Sequence, residues 1–333
     1  MLLRNLLALV WAHLKVGLRV YGANRMATHR LIAELEELSG VKGAISKADR
    51  RRLHLYTAIG RLVTDAMATL LGHRLKAAQK QHTLYLSALS PWIDDLADEE
   101  GWSSEQIRDW LNFRMERTSP QAAAIFSQHL TQRLANGMGE HFPRLESYAA
   151  KLLDAQETSQ RQLGPEQLSE ATLRDLTFQK GATSLWVYRS IIPLPISPEE
   201  EYAIGQLGYL IQLTNDLFDV YKDREKGQQT LFTHGCDLAL RREEYLALYH
   251  DLREKFHGIA VSKRRFRSFS AEMTPIVSRA LVCFDQLQAL QGEASTFSGL
   301  EKYSRQQLVC DMEKVGNIWA SLRYGVSLME EFY

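Results

Sequence analysis

A chain of 333 residues, 45% hydrophobic and 24% charged, is long enough to bury one large core or two ordinary ones. Its 40 basic residues balance its 40 acidic ones, so no overall field draws in nucleic acid or an anionic membrane. Cys236, Cys283 and Cys310 are odd in number, widely spaced and without a CxxC pair, which argues against a disulfide framework and structural zinc and fits a reducing cytoplasm.

Helical periodicity runs through the chain, with no alternating β-branched stretch bounded by hairpin turns, so the fold class is all-α. The N-terminus is strongly apolar, but its longest unbroken run, residues 6–12, is too short to span a bilayer. It reads as a helix over 5–20 packed on the body, with peripheral membrane contact as the alternative. Further helices are expected over 26–38, 46–71, 75–99, 104–117, 120–134 and 142–159, then 237–257, 267–290 and 302–331. No Gly/Ser/Pro-rich linker divides them, which gives one domain over 1–333 whose first 40 residues pack on the rest. The basic runs 49–52 and 263–267 read as solvated loops.

Interruptions mark the architecture. Pro91 should kink or restart its helix. Pro193, Pro195 and Pro198 make 191–198 an extended connection. Ser197, Pro198 and Glu200 form a helix start, so a central helix begins there and ends at Gly227. Gly181, inside another helical stretch, calls for a close approach or a local break.

Two acidic stripes carry the chemistry. On a continuous central helix Asn215, Asp219 and Asp223 fall at i, i+4 and i+8, three oxygen donors on one stripe. Upstream, Asp94, Asp95 and Asp98 spell Asp-Asp-x-x-Asp. Like charges at helical spacing repel, so a cation is the natural reason to keep them together. Hard divalent ions take oxygen ligands, retain water and complete their shell with substrate phosphate. Facing stripes would therefore hold several Mg2+ ions, three in this reading, with Mn2+ as a substitute, around a diphosphate ester.

These residues resemble the class I terpenoid synthases. The segment from Asn215 to Asp223, NDLFDVYKD, is similar to the second metal motif of bacterial terpene cyclases, with Asp219 where those carry a hydroxyl residue. DDLAD, from Asp94 to Asp98, looks like their first motif, and Arg323-Tyr324 resembles the Arg-Tyr pair that helps close such sites over diphosphate. Read with Gln212, the central segment also resembles the squalene and phytoene synthases, so cyclase and transferase both stay open. The resemblance implies a helical bundle around a central cavity, an isoprenyl diphosphate substrate and a soluble enzyme; a homodimer is compatible with it. It further implies diphosphate contacts for Lys222, for Arg174, which stands 41 residues before Asn215, and for Lys180, with Arg224 as a further candidate. Trp92, Phe178, Trp186, Phe218 and Trp319 lie beside the motifs as core aromatics, a subset of which would line the pocket and stabilise a carbocation.

Other chemistries lack parts. There is no Walker loop, dinucleotide glycine fingerprint, HExxH or GxSxG. A ferritin-like di-iron bundle needs two Glu-x-x-His pairs, and only Glu254 with His257 qualifies. A non-enzymatic helical scaffold leaves the paired acidic motifs unexplained.

Overall fold

A computed structural model of the chain describes residues 24–40, 43–98, 100–112 and 122–330, together with Leu18 and Gly22. The expected helix over 5–20 lies outside the described residues, Leu18 apart. The described residues form helices and no strands, and none of their helices is long and apolar enough to cross a membrane.

The chain falls into two compact units. One contains the described residues up to Glu157 together with Val187–Pro195. Its helices are α1 (Asn24–Ser39), α2 (Lys47–Leu70), α3 (Ala77–Asp98), α4 (Ser104–Leu111), α5 (Ala122–Met138) and α6 (Phe142–Ser159). Here α3 packs between α2 and α5, and Leu96, Ile107, Trp110, Ala124 and Leu153 form one apolar cluster. Ser46 caps α2 by accepting from the Asp49 amide, and Ser103 with Gln106 forms a reciprocal capping box on α4. The basic run 49–52 is thus a capped first turn rather than a loop. Pro91 stays inside an unbroken α3.

The connection 191–197 is non-helical, as its prolines require. Two arginines satisfy its carbonyls. Arg189, fully buried, donates to Ile192 O and Pro195 O at 3.0 Å each, and Arg144 donates to Leu194 O at 2.8 Å and Ile192 O at 2.9 Å. A guanidinium can cover several carbonyls that helix geometry has left without amide partners.

The other unit contains Thr158–Trp186 and the chain from Ile196 onward. To it belong most of α7 (Glu170–Arg189), then α8 (Pro198–Phe218), α9 (Val220–Glu225), α10 (Leu238–Ile259), α11 (Lys263–Gln291), α12 (Arg305–Leu308) and α13 (Val315–Glu330). The long α11 packs against α8, α10 and α13, and it absorbs the run 263–267 into its first turns. As the sequence pattern requires, Ser197 caps α8 through the Glu200 amide, with Pro198 in the first turn.

Gly181 marks a close approach. A Cβ added there would lie 2.2 Å from Gly208 O, and one added at Gly208 would lie 2.2 Å from Gly181 O. The α7 and α8 backbones touch where neither carries a side chain.

Candidate functional site

The central acidic segment is not one continuous helix. Asp219 leaves helical geometry at φ −90°, ψ 8°, separating α8 from α9. The hydrogen-bond ladder continues through it: the Asp219 amide donates to Asn215 O at 2.9 Å and the Asp223 amide to Asp219 O at 2.8 Å. Aspartate is a weak helix former because its carboxylate competes for nearby amides, and this one has acidic neighbours on both sides.

The carboxylates that turn inward are not those of the expected stripe. Asn215 is exposed, whereas Asp216, one position on, is 4% exposed and Asp223 5%. Gln212 Nε2 donates to Asp216 Oδ1 at 2.7 Å, and Thr177 Oγ1 of α7 lies 3.4 Å from Oδ2. The Gly181–Gly208 crossing allows α7 to bring Thr177 and the half-buried Lys180 so close to α8. The inward stripe is therefore Gln212, Asp216 and Asp223, with Asp219 partly exposed and bonded to Lys222 Nζ at 3.2 Å.

Burial first, then the charge of Asp219, pushes the Asp216 carboxyl up to about 6, against Gln212, Lys180 and Thr177, which favour its ionised form. Burial and the charges of Asp216 and Asp219 push Asp223 up to about 7, against Lys222 and Lys180. The Lys180 ammonium thus acts on both buried acids. Asp216 and Thr177 are the members that motif spacing missed. Gln212, four residues before Asp216, is the signal that could have found the first; nothing in the sequence marks the second.

The first motif lies in the other unit. Asp94 accepts from Tyr56 Oη at 3.2 Å and from Gln156 Nε2 at 3.4 Å. Burial and then Asp94's charge hold the Tyr56 phenol well above its ordinary range. Asp95 pairs with Arg52 Nη1 at 2.8 Å, and the same guanidinium donates to Pro91 O at 3.1 Å. Asp98 closes α3; its side chain lies outside the described residues.

Several basic candidates spend their donors on protein partners. Arg174 Nη2 lies 2.8 and 2.7 Å from the two Glu244 oxygens, and Nε donates to Glu170 at 2.9 Å. Arg241 joins the lattice, bonding Glu170 at 2.5 Å and Glu244 at 2.8 Å. Glu170 is consequently held at about 2, chiefly by Arg241. Arg224 donates to Leu300 O and Tyr303 O at 2.9 Å each, and its guanidinium covers the Tyr221 ring at 4.8 Å. It ties α9 to the 300–303 turn. Tyr324 Oη meets Asp285 at 2.7 Å and accepts from Arg242 at 2.9 Å, while Arg323 is exposed.

The aromatics divide. Trp92 is buried against Phe126, with ring centroids 5.1 Å apart. Trp186 Nε1 donates to Glu201 O at 2.8 Å, Phe178 meets Tyr209 edge-on at 6.1 Å, Phe218 is half-buried and Trp319 is 63% exposed.

Among the described residues no group of three or more His, Cys, Asp or Glu side chains is arranged to hold a metal ion. The donor set is nonetheless hard oxygen, and Mg2+ needs only one or two protein carboxylates when water and phosphate complete its shell. Comparison with protein-family models, curated proteins and solved structures finds no match to this chain.

Proposed function

We propose that the protein is a Mg2+-dependent class I terpene synthase that ionises an isoprenyl diphosphate and cyclises or rearranges the carbocation with release of diphosphate. The observation that carries the reading is the pair Asp216 and Asp223. Two buried carboxylates beside a third, Asp219, and the Lys180 ammonium form a cluster whose repulsion a divalent ion and a phosphate would relieve. The motif resemblance supplies the substrate class.

In this reading Asp219 and Asp223, with the Asn215 amide, would supply ligands to Mg2+, and the resemblance implies the same role for Asp94 and Asp98 of the first motif. Bound Mg2+ would neutralise charge on the departing diphosphate. Gln212 and Thr177 hold Asp216 in place, and Lys180 and Lys222 add positive charge where the leaving group develops negative charge. Asp95, held by Arg52, fixes the α3 motif to α2.

Gln212 also favours a second reading. Its bond to Asp216 makes it part of the cluster, as in the squalene-like form of the motif, where a second isoprenoid attacks the cation. Purified protein incubated with Mg2+ and C10 to C25 isoprenyl diphosphates, singly and paired with isopentenyl diphosphate, separates the two. A hydrocarbon or alcohol from one substrate indicates the synthase; chain growth or head-to-head coupling indicates the transferase. Asp94→Ala and Asn215→Ala should each abolish turnover with an unchanged helical signal. Full activity in both variants, or no diphosphate release by the parent protein, removes the assignment.

A further inference from the structure

Two cysteines that the proposed mechanism leaves idle meet in the unit that holds α8 to α13. Cys283 of α11 is fully buried, and Cys310, in the connection 309–314 between α12 and α13, is 6% exposed; neither is in a disulfide. Gln286, one turn after Cys283, pins that connection to α11: its Nε2 donates to Gln307 O at 2.6 Å and to Val309 O at 3.2 Å. The two thiols hydrogen-bond to each other. This bond holds Cys310 below its ordinary value, helped by Lys314 and opposed by burial and the charge of Asp311, and it raises Cys283.

A third sulfur joins the pair. Cys310 Sγ lies 3.9 Å from Sδ of the half-buried Met312. Asp311 fixes the backbone between them, its Oδ1 accepting from the Glu313 amide at 2.9 Å and its carbonyl from Asn317 Nδ2 at 2.8 Å. The remaining cysteine, Cys236, lies beside Arg241 instead. Around a trigonal soft ion with bonds of about 2.3 Å, sulfurs stand about 4 Å apart, so the Cys310–Met312 spacing suits one shared ion. Zn2+ asks for a fourth ligand, and among the described residues no His, Cys, Asp or Glu side chains are arranged to complete such a set. Two thiolates with a neutral, polarisable thioether select a soft monovalent cation.

We infer that Cys283, Cys310 and Met312 form a binding site for Cu+. The ion replaces the two thiol protons, which leave to solvent, and the filled site carries one net negative charge that Lys314 offsets. Half-buried Met312 is the point of entry. Cys283 Sγ also lies 3.5 Å from Leu217 O, in the last turn of α8. None of the three sulfurs belongs to the acidic motifs, so the inference does not rest on the Mg2+ reading.

The test titrates reduced full-length protein, kept free of oxygen, into the coloured Cu+–bicinchoninate complex, whose loss of absorbance reports transfer. The parent should take up one Cu+ per chain and release two protons into weak buffer, and equimolar Zn2+ should not displace the ion. Cys310→Ser should abolish uptake, and Cys236→Ser should leave it unchanged. Because Cys283 is packed in the core, Met312→Leu is the companion variant: it should weaken Cu+ by roughly tenfold or more with unchanged melting of the metal-free protein. No transfer to the parent, undiminished transfer in Cys310→Ser or Met312→Leu, or transfer lost in Cys236→Ser overturns the inference. Displacement of Cu+ by Zn2+ does so too. If the parent takes no Cu+ but loses two hydrogens by mass on exposure to air, the pair is a disulfide and the inference falls. Cu+ uptake is measured without substrate or Mg2+, so failure here leaves the terpene synthase reading standing.

Discussion

Gly181 and Gly208 face each other backbone to backbone, so near that a methyl group on either would fall 2.2 Å from the other's carbonyl oxygen. This contact is what allows Thr177 and Lys180 on α7 to act on Asp216 of α8. The obstructing atoms are main-chain and cannot rotate away. Helix propensity favours alanine over glycine by ~1 kcal/mol, yet Gly181→Ala or Gly208→Ala should destabilise by about 1–3 kcal/mol, because overpacking outweighs propensity. Urea denaturation checks the sign.

The buried acids give stability a pH dependence. Asp216 and Asp223 have folded-state pKa values raised to about 6 and about 7, so the native state binds more protons than the unfolded one. Their contribution to stability is most favourable below the unfolded carboxylate pKa and declines as pH rises from about 4 through 7. In EDTA, Asp223→Asn should be more stable than the parent by about 1–2 kcal/mol at pH 8 and nearly equal to it at pH 4. Thermal melts at the two pH values test this.

Mg2+ should reverse that penalty. Ligand carboxylates must be ionised, so binding competes with protons. Millimolar Mg2+ should raise the melting temperature of the parent more at pH 8 than at pH 5, and chelation should remove the gain. In Asp223→Asn the Mg2+-dependent shift should fall to less than half. A shift of equal size in both proteins would place Mg2+ elsewhere.

Arg174 spends its donors on Glu170 and Glu244, so Arg174→Ala should act first on stability. The expected loss is about 1 kcal/mol, because the pairs are partly exposed. A double-mutant cycle with Glu244→Gln should recover part of it as coupling. A variant of unchanged stability with a raised KM for the isoprenyl diphosphate would instead assign this guanidinium to the substrate.

Tyr324→Phe removes a hydroxyl that bridges Arg242 and Asp285. The cost should be about 0.5–1.5 kcal/mol of stability. Turnover lost beyond that of a protein equally destabilised elsewhere would support the closing role that the Arg-Tyr resemblance implies.

Local signals in the sequence determined much of the backbone. Ser46, Ser103 and Ser197 start their helices because each offers a hydroxyl to an amide one turn on, and the prolines of 191–198 exclude helix by removing amides. The glycine at 181 announced a close approach because glycine is costly in a helix without one. Tertiary structure decided how the charges are used. Within continuous α8, the side packed on α7 carries Asp216, and Asn215, one position earlier, is left in solvent, since one position is 100° of rotation. Arg174, Arg224 and Arg52 found partners 70, 79 and 43 residues away. Such long side chains are set by whichever carboxylate or carbonyl the fold brings within reach, and spacing along the chain carries no record of that.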